Sequence, residues 1–367
     1  MTDMHPEFMR RAVFLARKGV GKTSPNPAVG AVVVREGAVV GEGWHRRAGT
    51  PHAEVHALRM AGELARGGDL YVTLEPCSHH GRTPPCADAV IAAGIARVFV
   101  GMIDPNPLVS GQGVERLRQS GITVEAGLME QECRRLNEPF IKHVTTGRPL
   151  VVLKSALTLD GKTATPCGDS RWVTGEPSRR MVHRLRSAMD GVMVGVGTLL
   201  ADDPELTVRL AKGRNPLRIV VDSELRTPVT ARLLAAGGGG VLLATVSTDR
   251  EKIAALTAAG AEVVACAQRD GRVDLTDMLK RLGTRGIQSI LLEGGETLAG
   301  EMLRQGLIDK FLFFVAPKLV GGEGKGIFAG VGAGLMKDAV PLRIGRISRV
   351  GEDILLEAYP EAACLQD

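Results

Sequence analysis

Two short runs decide how the first half of this chain is interpreted: Pro51-His52-Ala53-Glu54, and Pro76-Cys77-Ser78-His79-His80-Gly81-Arg82-Thr83-Pro84-Pro85-Cys86. Together they supply one imidazole, two thiols and one carboxylate. A catalytic Zn²⁺ takes three nitrogen or sulfur ligands from the protein, because its fourth position then stays available for a water molecule whose pKa the metal lowers to near neutrality. The residues therefore predict a zinc centre built from His52, Cys77 and Cys86.

The order of these residues also predicts a reaction. His-x-Glu followed by Pro-Cys and a second Cys is typical of zinc deaminases, in which the Glu carries a proton and does not bind the metal. Glu54 stands at that position. A closed structural zinc site that includes His79 or His80 is the alternative, although such a site has no use for Glu54.

The spacing of the two cysteines departs from the common Cys-x-x-Cys, because eight residues separate Cys77 from Cys86. Both sulfurs can reach one metal if Cys86 begins a helix, and the two prolines before it favour a helix start there. A thiol at a helix N-terminus is also easier to ionise. His56 lies one helical turn after His52, but two thiolates already fill the site, so we predict that His56 is not a ligand.

The apolar pattern predicts two α/β domains. In the first half, strands at 28–35 and 38–43 form a hairpin, and later strands alternate with helices up to a last helix at 130–143. This alternation predicts a mostly parallel sheet covered on both faces. The polar stretch 144–149 ends the first half, so we place the domains at 1–147 and 148–367.

The second half alternates again without a second zinc motif. Its predicted strands lie at 150–156, 191–196, 217–222, 241–246, 261–265, 288–293 and 310–316, and its predicted helices at 177–189, 250–259, 274–283 and 296–306. The run Glu293-Gly294-Gly295-Glu296-Thr297 joins a strand to a helix, where bare backbone N–H groups can cradle a phosphate. Taken alone this signal is weak, because glycines between a strand and a helix are often only turn residues.

Composition excludes several classes of protein. The chain has 367 residues, of which 44% are hydrophobic and 24% charged, as expected for two globular domains in solution. Aromatic residues make up only 3%, which is a poor basis for stacking single-stranded nucleic acid, and the net charge of +5 suits anionic small molecules as well as RNA. No apolar run is long enough to span a membrane, so we expect no membrane contact.

The cysteines outside the zinc motif indicate the redox environment. There are too few for a disulfide scaffold, and we interpret those that stand alone as free thiols in a reducing cytoplasm. They are Cys133, Cys167, Cys266 and Cys364.

The second run resembles one family closely, the bifunctional deaminase/reductases of riboflavin biosynthesis, whose deaminase half carries Pro-Cys-x-x-x-Gly-[Arg/Lys]-Thr-Pro-Pro-Cys. Motifs of the second half resemble the reductase half of the same family, in the family's order. They are 154–162, 170–172, 195–198, 201–204 and 291–300. The resemblance implies a cytidine-deaminase-like three-layer α/β/α domain at 1–147, followed by a dihydrofolate-reductase-like α/β domain at 148–367 that uses NADPH.

The resemblance also implies site residues, and each is carried over by its position in this sequence. In the deaminase half the substrate contacts are Asn26, His45, Arg82 and Asn106. In the reductase half the cofactor contacts are Ala156, Trp172, Thr198, Asp202, Ser223, Gly295, Glu296, Thr297 and Leu298. The substrate contacts there are Lys154, Ser170, Arg186, Leu206, Arg209 and Glu293.

Some of these residues also have a physical argument. The guanidinium of Arg82 on the zinc loop can grip a ribose phosphate in bidentate fashion, and Arg186 and Arg209 suit the same task. Ser223 and Arg226 follow a strand and are candidates to meet the 2′-phosphate that distinguishes NADP from NAD. Asp202 is our candidate for proton handling in the reduction.

We therefore expect deamination of a phosphorylated pyrimidine, followed by NADPH-dependent reduction of its ribosyl side chain, in a homo-oligomer that binds no nucleic acid. A nucleic-acid deaminase with an appended RNA-binding domain is the first alternative. A zinc scaffold without catalysis is the second, and the loss of activity in one half is the third.

Overall fold

The computed structural model describes residues 6–79, 84–330 and 332–361. The chain divides into two compact units, Met1–Gly147 and Arg148–Asp367. Each unit has its own sheet and its own apolar core, so the predicted α/β class is confirmed.

The first unit has a five-stranded sheet in the order β2-β1-β3-β4-β5. Its strands are β1 (Gly30–Arg35), β2 (Ala38–Trp44), β3 (Asp69–Val72), β4 (Arg97–Val100) and β5 (Thr123–Ala126). Its helices are α1 (Pro6–Ala16), α2 (Ala53–Ala61), α3 (Cys86–Ala92), α4 (Gln112–Gln119), α5 (Glu130–Leu136) and α6 (Glu138–Thr146).

The sheet of the first unit is mixed, whereas the sequence predicted a mostly parallel one. The predicted hairpin is confirmed as the antiparallel pair β1–β2, but β1 also runs antiparallel to β3. Only the pairs β3–β4 and β4–β5 are parallel. Apolar alternation marks a strand but carries no information about the direction of its neighbour, which explains the difference.

One predicted helix, at 130–143, is two helices. Asn137 lies between α5 and α6 with its φ angle at −114°. Its buried side-chain amide bonds to the backbone of Ala28, accepting from the N–H at 2.8 Å and donating to the carbonyl at 3.1 Å. This long-range pairing holds the break in place, and no local pattern in the sequence reports it.

Close approach of α2 to the sheet depends on two glycines of β2. A Cβ on Gly43 would lie 2.2 Å from the carbonyl oxygen of Ala53, and a Cβ on Gly41 would lie 2.2 Å from that of Ala57. Neither distance is compatible with a side chain. The missing side chains let the first turn of α2, directly after His52, pack against the strand.

The second unit has a nine-stranded sheet in the order β10-β9-β8-β7-β13-β6-β14-β16-β15. All neighbouring strands from β10 through β14 in this order are parallel. At the other edge, β16 pairs antiparallel with β14, and β15 pairs antiparallel with β16. Its strands are β6 (Leu150–Thr158), β7 (Gly191–Gly195), β8 (Leu217–Val221), β9 (Val241–Thr245), β10 (Glu262–Ala265), β13 (Ser289–Glu293), β14 (Lys310–Ala316), β15 (Leu342–Val350) and β16 (Asp353–Pro360), with a separate hairpin of β11 (Gln268–Arg269) and β12 (Arg272–Val273).

The helices of the second unit follow its strands. They are α7 (Glu176–Ala188), α8 (Val196–Asp202), α9 (Arg232–Ala235), α10 (Arg250–Ala258), α11 (Leu275–Thr284) and α12 (Glu296–Arg304). The described part of the chain contains no helix with the length and apolar character needed to cross a bilayer.

Several elements of the second unit were not predicted: α8, α9, the hairpin β11–β12, and the strands β15 and β16. In β15 a register shift lies between Ile344 and Arg346. The extra residue breaks the two-residue period, so the apolar positions Ile344 and Ile347 are three apart and the stretch lacks the alternation typical of a strand.

We predict that Gly43→Ala destabilises the first unit by about 2 kcal/mol, because the added methyl group overlaps the backbone of α2. Differential scanning calorimetry of the full chain measures the loss. The control is Gly197→Ala in α8, where a Cβ meets no atom within 4 Å and where alanine favours the helix. An unchanged melting temperature for Gly43→Ala would contradict the tight contact.

Candidate active sites

Three side chains of the first unit converge at helix starts. His52 is the N-cap residue of α2, and Cys86 is the first residue of α3. Cys77 lies in the loop after β3, and its Sγ accepts the backbone N–H of Cys86 at 3.3 Å. The Nδ1 atom of His52 lies 3.2 Å from Sγ of Cys86 and 3.6 Å from Sγ of Cys77.

This donor set fits a zinc ion. The nitrogen and the two sulfurs all lie within 4.8 Å of one another, and no other described His, Cys, Asp or Glu joins the cluster. His56 and His79 are therefore outside it, whereas His80 lies beyond the described residues. Three ligands of this type leave one tetrahedral position for a small molecule, as in catalytic zinc sites.

Glu54 is the buried carboxylate of this site. It is 3% exposed, and its Oε2 has no hydrogen-bond partner among the described residues. Burial raises the pKa of Glu54 to about 7, against the opposing effect of His52. A carboxyl group that titrates near neutrality can both accept and release a proton at working pH.

The two thiols share hydrogen bonds with the imidazole. The hydrogen bond with Cys86 lowers the pKa of Cys77 to about 4, with further lowering from His52. The pKa of Cys86 is raised by its hydrogen bond to Cys77 and by burial. The pKa of His52 is raised, mainly by its hydrogen bond with Cys77. A thiolate and a proton donor are thus in direct contact.

Asn26 and His45 lie beside this cluster. The amide nitrogen Nδ2 of Asn26 is 3.1 Å from Nε2 of His45, whose Nδ1 is 3.3 Å from the carbonyl of Pro51. The rings of His45 and His52 meet edge to face, with centroids 5.1 Å apart. Burial lowers the pKa of His45. A neutral His45 that donates from Nδ1 and accepts at Nε2 satisfies both contacts.

Of the other two deaminase candidates, the structure describes Asn106 alone. The side chain of Asn106 accepts the N–H of Leu108 at 3.1 Å, as in an ordinary Asx turn. Arg82 lies outside the described residues.

Glu75 is a buried residue that sequence reasoning missed. Its carboxylate accepts four backbone N–H groups, from Asp104 at 3.0 Å, Gly111 at 2.9 Å, Gly113 at 2.8 Å and Val114 at 3.1 Å. It therefore fixes the start of α4 against the end of β3, two residues before Cys77. An acidic residue in an otherwise apolar strand end was the available signal.

A cavity of about 1660 Å³ occupies the second unit. It is lined by every reductase candidate except Leu206, which is buried and has a φ angle of +54°. The cavity lies at the carboxyl ends of the parallel strands, where ligands bind in open α/β sheets. The residues that line it are Lys154, Ala156, Ser170, Trp172, Arg186, Thr198, Asp202, Arg209, Ser223, Glu293, Gly295, Glu296, Thr297 and Leu298.

Glu293 at the end of β13 is the electrostatic centre of this cavity. Arg186 binds it in bidentate fashion, at 2.6 and 3.0 Å, and Nζ of Lys154 lies 3.9 Å away. Burial opposes ionisation, but Arg186 and then Lys154 outweigh it, so the pKa of Glu293 falls to about 2. Burial and Arg186 lower the pKa of Lys154.

The two arginines expected to grip phosphate are already paired. Arg186 directs two guanidinium nitrogens to Glu293 and a third to the carbonyl of Thr207 at 3.0 Å. Arg209 forms an ion pair with Glu205 at 2.8 Å. Sequence spacing cannot show that a carboxylate from another strand reaches a given guanidinium.

His183 is a second residue that the sequence did not indicate. It lines the same cavity, and its Nδ1 accepts the backbone N–H of Arg209 at 3.0 Å. Burial, together with the charges of Arg186 and Arg209, lowers the pKa of His183 to about 4. His183 is therefore a neutral polar group at neutral pH.

The strand-to-helix glycines form a tight turn before α12. Gly294 and Gly295 have φ angles of +75° and +83°. A Cβ on Gly295 would lie 3.0 Å from Oγ1 of Thr198, so only glycine leaves this corner of the cavity open. Nearby Trp172 is 63% exposed, and the guanidinium of Arg179 lies 4.7 Å from its ring centroid.

Comparison with known proteins agrees with both sites. The family described as "Cytidine and deoxycytidylate deaminase zinc-binding region" matches residues 2–102, and "RibD C-terminal domain" matches residues 149–356. The fold and the two sites thus define an enzyme that joins a zinc-binding deaminase unit to a reductase unit. Riboflavin biosynthesis protein RibD of Actinobacillus pleuropneumoniae is 46% identical over 359 residues, covering 97% of this chain and 95% of the relative. The chain belongs to the RibD family of bifunctional riboflavin biosynthesis enzymes.

A further relative and two solved structures are similar to this chain over almost its whole length. RibD of Escherichia coli strain K12 is 44% identical, covering 95% of this chain and 97% of the relative. The solved structure of Acinetobacter baumannii RibD, form 1, has a TM-score of 0.87 at 38% identity, covering 97% of this chain and 98% of that one. A Thermotoga maritima deaminase/reductase has a TM-score of 0.86 at 39% identity, with the same coverage.

We predict that the Glu293 ion pair makes the second unit sensitive to acid. The pKa of Glu293 is depressed from 4.5 to about 2, so its contribution is complete above pH 4.5 and is lost as the pH falls through 2. The loss amounts to about 3 kcal/mol. Urea unfolding of the full chain between pH 5 and 2 measures it.

The control for this prediction is the double variant Glu293→Gln with Arg186→Met, which removes both charges. Its stability should fall less over the same pH range. Equal pH dependence in the two proteins would show that other carboxylates account for the acid sensitivity.

Proposed function

We propose that this enzyme deaminates 2,5-diamino-6-ribosylamino-4(3H)-pyrimidinone 5′-phosphate and then reduces the ribosyl side chain, giving 5-amino-6-ribitylaminouracil 5′-phosphate. One observation carries the proposal: a buried carboxylate with an unpartnered oxygen lies next to a His, Cys, Cys donor set. The printed title of the Thermotoga maritima relative, a diaminohydroxyphosphoribosylaminopyrimidine deaminase/5-amino-6-(5-phosphoribosylamino)uracil reductase, supports the choice of substrate.

In the deaminase half, His52, Cys77 and Cys86 would hold Zn²⁺, which when bound would lower the pKa of a water molecule and make it nucleophilic at neutral pH. Glu54 takes a proton at its carboxylate and delivers it to the amino nitrogen, which leaves as ammonia while oxygen from water takes its place on the ring. Burial of Glu54 supports this role, because it raises the pKa of Glu54 towards that of the groups between which the proton moves.

The neighbours of the cluster bind the pyrimidine. Asn26 offers an amide to the edge of the ring, and the contact with neutral His45 orients that amide. We assign Arg82 and Asn106 to the ribose phosphate side by family resemblance.

In the reductase half, NADPH when bound would supply the hydride that reduces C1′ of the open-chain ribose. The turn at Gly295 to Leu298 would receive the cofactor phosphates on the backbone N–H groups that start α12. The rest of the cofactor would be held by Ala156, Trp172, Thr198, Asp202 and Ser223. Asp202 is exposed at the cavity wall and is our candidate for proton handling.

The substrate lies at the opposite end of the cavity. Lys154 offers a donor, and Glu293 offers an acceptor that Arg186 holds in place. We therefore give Arg186 a positioning role, and we assign the substrate phosphate to Ser170 and Arg209, which line the cavity. Leu206 does not line it and is assigned to the substrate by family resemblance alone.

We further propose a cytoplasmic homo-oligomer. The thiols of Cys133, Cys167 and Cys266 are free, which supports a reducing compartment. Size-exclusion chromatography with light scattering tests the oligomeric state.

Mass spectrometry of the diaminopyrimidinone ribosyl phosphate, incubated with zinc-loaded enzyme, tests the proposal. Without NADPH we expect exchange of an amino group for oxygen, and with NADPH a further gain of two hydrogens. No change in either tube would rule out this substrate.

We predict that Glu54→Gln lowers the deamination rate at least about 100-fold, because an amide cannot shuttle the proton. Zinc content, measured by atomic absorption, and the rate of reduction of the deaminated intermediate should both stay unchanged. Retained deamination would remove Glu54 from this role.

The matched contrast is Cys86→Ser, which changes a ligand and leaves Glu54 intact. This variant should lose zinc together with deamination. A full complement of zinc in Cys86→Ser would show that Cys86 is not a ligand.

A further inference from the structure

The hairpin β11–β12 brings two arginines face to face at the wall of the reductase cavity. Arg269 and Arg272 are directly opposite each other across the hairpin, on either side of a turn at Asp270-Gly271. Both turn residues have positive φ angles, at 51° and 75°, as in a tight type I′ turn. All four residues line the cavity.

Two like charges at directly opposed positions destabilise a hairpin. Two nearby carboxylates pair with other arginines, Glu224 with Arg226 at 3.6 Å and Glu301 with Arg304 at 2.5 Å, although Glu301 also attracts Arg269. Within the described chain, the side chain of Arg272 forms no hydrogen bond or ion pair. Its charge is therefore available to a ligand.

The hairpin is fixed to the cofactor side of the cavity. The backbone N–H of Val273 donates to Oγ of Ser223 at 3.1 Å, which ties β12 to the loop after β8. In the sheet, β8 and β13 are separated by β7 alone. Two strand spacings, about 10 Å, therefore separate the hairpin anchor from the phosphate turn at Gly294-Gly295.

The substrate end lies farther away. Lys154 is on β6, three strands from β8 in the sheet order, which corresponds to about 14 Å. A phosphate held at the hairpin is thus nearer to the cofactor than to the substrate, at a distance that one ribose can bridge from the phosphate turn.

We propose that the hairpin Gln268–Val273 selects NADPH over NADH, with Arg272 and Arg269 binding the 2′-phosphate monoester of the adenosine ribose. This inference rests on the proposed use of a nicotinamide dinucleotide in the cavity. It assigns the discrimination between NADPH and NADH to the hairpin that follows β10, the edge strand of the sheet. Ser223 is then the residue that holds this hairpin in place.

Isothermal titration calorimetry of the full-length enzyme with NADPH and with NADH tests the proposal. Arg272→Ala should raise the Kd for NADPH about tenfold or more, because a charge-assisted contact is lost, and change the Kd for NADH less than about twofold. The double variant with Arg269→Ala should lose more, and Arg272→Lys should retain part of the preference.

The control is Arg250→Ala, an exposed arginine of α10 that does not line the cavity, and it should leave both Kd values unchanged. Thermal unfolding checks folding, since loss of a repulsive pair should not destabilise the unit.

Three results would overturn the inference: equal loss of NADPH and NADH affinity, no change in either, or a rise confined to the KM of the phosphorylated substrate. Failure of the underlying function is distinct, because the unaltered enzyme would then bind neither nucleotide.

Discussion

Desolvation of carboxylates is the constraint around which both sites are built. Four Glu side chains are buried in the described part of the chain, and three of them, in or beside the two sites, have different hydrogen-bond partners. Glu75 is satisfied by four backbone N–H groups and serves the scaffold. Glu293 is satisfied by Arg186 and stays ionised, whereas Glu54 keeps one oxygen unpartnered and its pKa rises to about 7. The partners of a buried acid thus decide whether it holds structure, binds a ligand or moves a proton.

In both units, candidate site residues lie at the N-termini of helices. His52 and Cys86 stand at the starts of α2 and α3, and the glycines after β13 stand at the start of α12. Helix starts present unpaired N–H groups and a positive partial charge, which favour thiolates in one unit and would favour phosphates in the other. The same backbone feature therefore suits two unrelated reactions.

The sequence alone was sufficient to predict site residues where the function needs particular residue types at close spacing. His52, Glu54, Cys77 and Cys86 could be chosen from two short runs, and the structure brings them together. The sequence was not sufficient where a contact between distant residues decides the local structure or the partner of a side chain. The amide of Asn137 breaks a helix by bonding to Ala28. Glu293 pairs with Arg186, which the family resemblance and the chemistry of a guanidinium had assigned to phosphate. In β15 a single extra residue hid the strand by disturbing its period.

The unpartnered oxygen of Glu54 has an evolutionary consequence. A buried acceptor without a donor weakens the folded state, so substitutions that remove it would be favoured by selection for stability alone. At position 54, selection for catalysis therefore opposes selection for stability. The rest of the unit, including the four amides on Glu75, supplies the stability margin that lets the active sequence persist.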